Sequence, residues 1–391
     1  PSPSGGGAPA GGAASAPGAP AAAGGAGAPG PAPDTVGTAT VPFRGVHQAG
    51  VATPAQAFAR FLSFDLVPGV DRAGLARLMR IWTEDAERLT GGRPGLTDTE
   101  PWLAATPARL TITLGVGRGF LAAAGRGERV PPWLEPLPPF PVDRLQERWS
   151  GGDLLLQVAA DDVMTVTHAC RVLTSAAARF VGPRWTQTGF RPAAGTLPPG
   201  ATIRNLMGQV DGSANPDPQV EPHLIWHDDR AEPWLAGATT MVVRRIAMDL
   251  DAWGRVDRAG REFAIGRTLD TGAPLTGGTE RDTPGLAAVD AAGLPVIDTA
   301  AHVRRARTDD HRERFLRRPF NFHDPSGPVA ERSGLVFVTF QRDIGAQFLP
   351  VQRRLAALDR LNQWTTPIGS AVFLVPRGVE AGEDLAERLL G

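Results

Sequence analysis

Gly208-Gln209-Val210-Asp211-Gly212-Ser213-Ala214-Asn215-Pro216 sets a carboxylate between two glycines, with an amide four residues on and a proline closing the turn. Glycine permits backbone geometry that a side chain forbids, so a carboxylate beside Gly212 can approach a bulky planar ligand closely. Taken alone the string is an ordinary Asx-turn. Its weight comes from two later segments, His302-Val303-Arg304-Arg305 and Leu316-Arg317-Arg318-Pro319-Phe320-Asn321-Phe322. A carboxylate can take up and return a proton, an arginine supplies fixed positive charge, and an imidazole can hold a metal.

Those groups need a frame that brings distant segments together. Asp71 to Thr90 reads as a helix, with Leu75, Leu78, Met79 and Trp82 at helical spacing and Gly91-Gly92 as its stop. Ala55 to Leu62 carries a helical apolar stripe, Phe64-Asp65-Leu66 reads as strand, and Leu110 to Gly115 is a strand. Strand Asp153–Val158 leads into helix Asp161–Arg179, and strand Gly334–Phe340 leads into helix Ala346–Gln363. The repeated plan predicts a duplicated α+β unit with antiparallel sheet covered by helices. Gly254 to Pro295 is punctuated by Gly and Pro and reads as long surface loops. Residues 1–38 are dominated by Pro, Ala, Gly and Ser and read as a disordered leader, with order from about Val41. The halves then span 39–200 and 201–391.

Composition removes several function classes. A net charge of −1 and a pI near 6.8 give no global field for nucleic acid or anionic lipid. No apolar run approaches the roughly 18–20 residues that span a bilayer, which argues against an integral membrane protein. All 40 basic residues are arginine, so a Walker-type loop and lysine chemistry are excluded. A single cysteine, Cys170, excludes Cys-rich metal sites, intrachain disulfides and haem attachment through a cysteine pair. His223 and His227 have the spacing of a chelating pair, but Pro222 argues for a loop and no third ligand is evident.

The order of carboxylate, histidine and arginine resembles the dye-decolourising peroxidases, whose signature is Gly-x-x-Asp-Gly, then a haem-ligating His, then an Arg-rich turn. Phe43-Arg44-Gly45-Val46-His47-Gln48 is similar to the family's opening segment. The resemblance implies two ferredoxin-like domains and one non-covalent haem b per chain. It implies peroxidase activity through a ferryl intermediate, with hydrogen peroxide as oxidant and bulky aromatic molecules or other one-electron donors as reductants. His302 then falls at the proximal iron ligand, Asp359 at its carboxylate partner, and Asp211 at the proton relay on the opposite face. Arg317 matches the distal cation, with Arg318 and Arg342 as alternatives for that role or for the haem propionates. Asn215 is placed to orient peroxide or a water, and Gly212 to let the carboxylate approach. Export by the twin-arginine route, with the signal removed, is a further implication. Related folds are linked to haem delivery or iron release, so a haem-handling protein is the alternative.

Two departures bear on the radical chemistry. Gln209-Val210 replaces the family's frequent Phe-Lys, and Phe320 and Phe322 replace tyrosines. Tyrosine is absent altogether, against 16 Phe and 9 Trp. An oxidising equivalent moving outward must therefore use tryptophan, and Trp364, five residues after Asp359, is the leading candidate.

Overall fold

Phe58–Leu66 shows how the sheets are built, because both of its faces are buried. In the computed structural model, which describes residues 36–198, 201–228 and 233–391, this segment is β1. Ala59 and Phe61 enter one core while Leu62 and Phe64 enter another, so the sequence shows a nearly continuous apolar run. That run imitates a helical stripe over Ala55–Leu62; the segment is strand from Phe58 onward.

The first half continues with α1 (Arg72–Thr90), β2 (Thr111–Val116), α2 (Arg118–Ala123), β3 (Leu154–Ala160), α3 (Val163–Ala177) and β4 (Val181–Phe190). Its antiparallel sheet runs β4-β1-β3-β2. The second half holds β5 (Thr239–Met248), α4 (Leu250–Arg255), α5 (Arg258–Ile265), α6 (His302–Ala306), β6 (Leu316–Arg317) and β7 (Phe320–His323). It ends with β8 (Ser333–Gln341), α7 (Leu349–Leu358), β9 (Thr365–Val375) and α8 (Glu387–Leu390). Here the order is β9-β5-β8, with β6 and β7 both on the far edge of β8. Both halves therefore have the strand order of a ferredoxin-like unit. Two single-residue pairings, Val116 with Leu374 and Phe190 with Asn321, join the sheets into a closed ring.

The space between the sheets is filled by Phe61, Leu155, Trp185, Phe320, Phe340 and Phe373, among others. On the outer face of the first sheet, α1 and α3 bury Leu75, Leu78, Met79, Trp82, Val166 and Leu173. Local chemistry sets those helices: Asp71 and Asp162 cap α1 and α3 by accepting from Gly74 N and Thr165 N, each at 2.8 Å. Cys170 lies in this core, and burial pushes its thiol up to about 12. Among the described residues, no helix is long and apolar enough to cross a membrane.

Three further expectations need revision. Order is present before Val41: Val36–Thr38 forms one 3₁₀ turn, and the Gly37 and Ala39 carbonyls accept from Ala108 N and Arg109 N. Residues 1–35, and 199–200 at the expected domain boundary, lie outside the described residues. The long helix expected over Ala346–Gln363 is divided into a π-turn (Ile344–Phe348), α7 and a 3₁₀ turn (Arg360–Gln363). The break is at Asp359, whose carboxylate caps the second piece through Leu361 N at 3.0 Å. Finally, the loop-rich region contains α5, capped by Asp257 and ended by Gly266 in the left-handed conformation at φ +86°.

Gly266 also sets the seat of α6. A Cβ there would stand 2.6 Å from Val303 Cγ1 and 2.9 Å from Ile297 Cγ2. Gly266→Ala is expected to cost roughly 2 kcal/mol through backbone strain and crowding, read as a lower urea midpoint. An unchanged midpoint would show that α6 can move aside freely.

Candidate active site

His302 is the first residue of the short helix α6, preceded by a chain segment tied to the end of α7. Ala300 O accepts from Arg360 N at 2.9 Å, and Asp298 Oδ1 accepts from Arg360 Nε at 2.7 Å. These ties bring the neighbouring Asp359 to His302, whose Nδ1 donates to Asp359 Oδ2 at 2.6 Å. Asp359 is buried, and its other oxygen is held by the backbone. Burial works to lower the His302 pKa, but the charge and hydrogen bond of Asp359 override it and hold the imidazole above its usual value. With Nδ1 engaged, Nε2 has no protein partner among the described residues and is not sealed from solvent.

Asp211 is carried by a tight hairpin. Arg204 pairs with Val210, Asp211 N donates to Ile203 O at 2.9 Å, and Asn205 N donates to Gln209 O at 3.0 Å. Gly208 takes φ +83° at the tip, and Gly212 takes φ +123° immediately after the carboxylate. At Gly212 the requirement is the backbone turn rather than space, since an added Cβ would meet only Thr202 Cγ2, at 3.8 Å.

The hairpin faces β6. Arg317 Nη1 donates to Asp211 Oδ1 at 3.4 Å, in a pair whose side chains are 26% and 13% exposed. Asn215 fixes that arginine from three directions. Its Oδ1 accepts from Arg317 N at 3.1 Å and from Arg317 Nε at 3.2 Å, while its Nδ2 donates to Arg317 O at 2.7 Å. Asn215, expected to orient peroxide or a water, is engaged here through its amide in positioning Arg317. Both Asp211 and Arg317 act electrostatically on His302, the first raising its pKa and the second lowering it. The three groups therefore share one region, although they come from separate segments.

The two alternative arginines lie elsewhere. Successive strand residues point to opposite faces, so Arg318 turns away from Arg317. It is 4% exposed, donates to Gln56 Oε1 at 2.6 Å and to Thr53 O, and so ties the C-terminal half to the N-terminal one. Burial, with Arg191 and Arg109 nearby, lowers its pKa to about 9. Arg342 pairs with Asp228 at 3.4 Å, three residues beyond Thr339, the strand partner of Arg317. Three strand residues amount to about 10 Å, so along the sheet Arg342 stands further from Asp211 than Arg317 does. His223 lies in one 3₁₀ turn and His227 stacks on Trp133 at 5.6 Å. Among the described residues, no group of three metal-ligating side chains is found. Trp364 follows the 3₁₀ turn and meets Trp253 edge to face, with ring centroids 5.0 Å apart.

Three residues of this region were not singled out for these roles from the sequence. Asn321 holds the hairpin from β7, accepting from Leu206 N at 3.1 Å and donating to Arg204 O at 3.4 Å. A buried amide between two buried phenylalanines was the available signal. Trp253 Nε1 donates to Met207 O at 3.0 Å and anchors the same hairpin from behind. Arg191 lies over the Phe320 ring at 5.7 Å and is drawn electrostatically toward Asp211. No local pattern distinguishes it from the other arginines.

Comparison with known proteins supplies the family. The model for the Dyp-type peroxidase N-terminal domain matches residues 48–191, and that for the C-terminal domain matches residues 202–380. The crystal structure of a DyP-type peroxidase from Cellulomonas bogoriensis is 55% identical, with a TM-score of 0.89 over 91% of this chain and 99% of that one. A dye-decolorizing peroxidase of Thermobifida fusca is 40% identical over 87% of this chain and 84% of its own. A deferrochelatase of Escherichia coli is 32% identical over 88% and 85%, respectively. With both domain models matched in order, and relatives aligned over most of their length, this chain belongs to the Dyp-type peroxidase family.

Proposed function

We propose that the chain holds one non-covalent haem b between His302 and Asp211, reduces hydrogen peroxide there, and oxidises aromatic donors. The observation that carries this reading is the partly buried Arg317–Asp211 pair acting on the same imidazole that Asp359 grips at 2.6 Å. The donor set fits the cofactor. Nδ1 is committed to a carboxylate, leaving Nε2 as the only ring nitrogen able to bind iron, and Asp359 increases its donating power. When bound, the haem supplies the redox centre and the iron on which peroxide is reduced.

The protein's own groups manage the proton and the charge. Asp211 takes the proton from one peroxide oxygen and returns it to the departing oxygen. Arg317 stabilises the negative charge that develops as the O–O bond lengthens, and Asn215 keeps its guanidinium from rotating away. For donors too large to approach this region, we assign the outward path to Trp364. It is half-buried, in contact with Trp253, and no tyrosine competes with it. Export by the twin-arginine route belongs to the proposal on family resemblance alone.

The deferrochelatase relatives give the second reading, haem handling. A carrier has no need of a proton-relay carboxylate beside a clamped cation, which favours the peroxidase. Haem-loaded protein that turned over no donor with peroxide, yet released iron, would reverse that preference.

Two tests follow. His302→Ala should lose the haem, read as pyridine haemochrome content on a protein that keeps its far-ultraviolet circular dichroism; full retention with an unchanged ferric spectrum would remove His302 as ligand. In haem-loaded protein, Asp211→Asn should slow the peroxide-driven change of the Soret band by about 10²–10⁴-fold. Arg317→Leu should slow the same step, and unchanged stopped-flow rates in both variants would displace the distal site. For the outward path, Trp364→Phe should reduce oxidation of a large anthraquinone dye more than that of a small donor. Equal losses for both would exclude Trp364.

A further inference from the structure

A concave site lies apart from His302 and Asp211. A cleft of about 330 Å³ opens between residues 41–53 and 218–226, lined chiefly by His47, Trp226, Thr53, Gln219, Pro218 and Ala52. Its back wall is a stacked pair: the His47 and Trp226 rings lie 3.7 Å apart and 11° from parallel. His47 Nδ1 donates to Gly237 O at 2.9 Å, which leaves Nε2 as an acceptor. Among the described residues Nε2 has no partner, and it is not sealed from solvent. Burial, opposed by the Gly237 bond and reinforced by Arg377, lowers the His47 pKa, so the ring is neutral at neutral pH.

An indole face, proline walls and a single imidazole acceptor suit a planar aromatic ring bearing one hydroxyl. The cleft also adjoins the reaction region. Pro218 on its wall is three residues beyond Asn215, which bonds to Arg317. Trp226 packs in the same apolar cluster as Leu316 and Phe340, and Leu316 is the chain neighbour of Arg317.

We propose that this cleft is a donor site for small phenols, in which His47 Nε2 accepts the phenolic proton and the Trp226 indole carries the electron inward. The proposal rests on the peroxidase reading. Each phenol loses one electron and one proton and leaves as an aryloxyl radical, its O–H bond broken and an N–H bond formed on His47. Two phenols supply the two electrons and two protons that convert one hydrogen peroxide into two waters. Small phenols thus enter by a route separate from that assigned to bulky dyes at Trp364.

The test uses haem-loaded protein with guaiacol as the probe. Isothermal titration without peroxide should detect guaiacol binding to the unmodified protein. Ala52→Phe, which fills the cleft from an exposed position and leaves the stacked pair intact, should raise both the Kd and the KM for guaiacol about tenfold. It should leave the peroxide-driven Soret change and anthraquinone-dye oxidation unaltered. His47→Phe preserves a ring against Trp226 but removes the acceptor, so kcat for guaiacol should fall by about 10²-fold, well beyond the rise in Kd from one lost hydrogen bond. No binding in the titration, or an unchanged Kd in Ala52→Phe, overturns the site. Binding that Ala52→Phe weakens, in a protein that turns over no donor, instead overturns the peroxidase reading and keeps the cleft as a phenol site.

Discussion

The hydrogen bond from His302 Nδ1 to Asp359 Oδ2 joins residues 57 positions apart, and much of the C-terminal half is arranged to make it. α7 must stop at Asp359 so that its carboxylate can turn toward α6 instead of lying along a helix face. The next residue, Arg360, is bound through its backbone to Ala300 and through its side chain to Asp298. Two strands of chain thus run side by side up to the pair, and the imidazole is oriented before any ligand arrives. A buried carboxylate beside an imidazole is costly unless both are hydrogen-bonded. Here each has its partner, and the second Asp359 oxygen caps the following turn.

The opposite wall is held by an equally specific device. The Asn215 side chain bonds to the amide, the carbonyl and the Nε of Arg317, so the guanidinium direction is set by a carboxamide carried on the Asp211 loop. One small apolar cluster supports both walls. It contains Met207 of the hairpin, Leu361 of the turn after Asp359, and Trp253, which bonds to Met207. Displacement of either wall must disturb this shared packing, which couples the two faces mechanically without any direct contact between Asp211 and Asp359.

Much of this was legible in the sequence because it depends on local signals. Asp71 and Gly91 marked the ends of α1, and the repeated strand-then-helix plan marked the duplication. The grouping of Asp211, His302 and Arg317 followed from motif order, and Asp359 from the family resemblance. What escaped depends on tertiary surroundings. Phe58–Leu62 looked helical because closure of the sheets into a ring buries both faces of β1. Arg317 and Arg318 are neighbours in sequence, and only their opposite directions from the strand separate a cation that meets Asp211 from a buried tie to Gln56. The amide of Asn215 could have served a ligand or a neighbour, and spacing alone does not distinguish them. The break at Asp359 is likewise invisible in a sequence of good helix formers; it is imposed by the pull of His302 on one carboxylate oxygen and of Leu361 N on the other.

The central claim, that Asp359 tunes an imidazole bound to iron through Nε2, is tested most directly by resonance Raman spectroscopy of the reduced, haem-loaded protein. The iron–histidine stretching frequency reports how strongly the imidazole donates. If Asp359 accepts from Nδ1 in the loaded protein, the frequency should fall clearly in Asp359→Asn, where a neutral amide replaces the carboxylate. An iron–histidine band of the same frequency in both proteins would contradict the account.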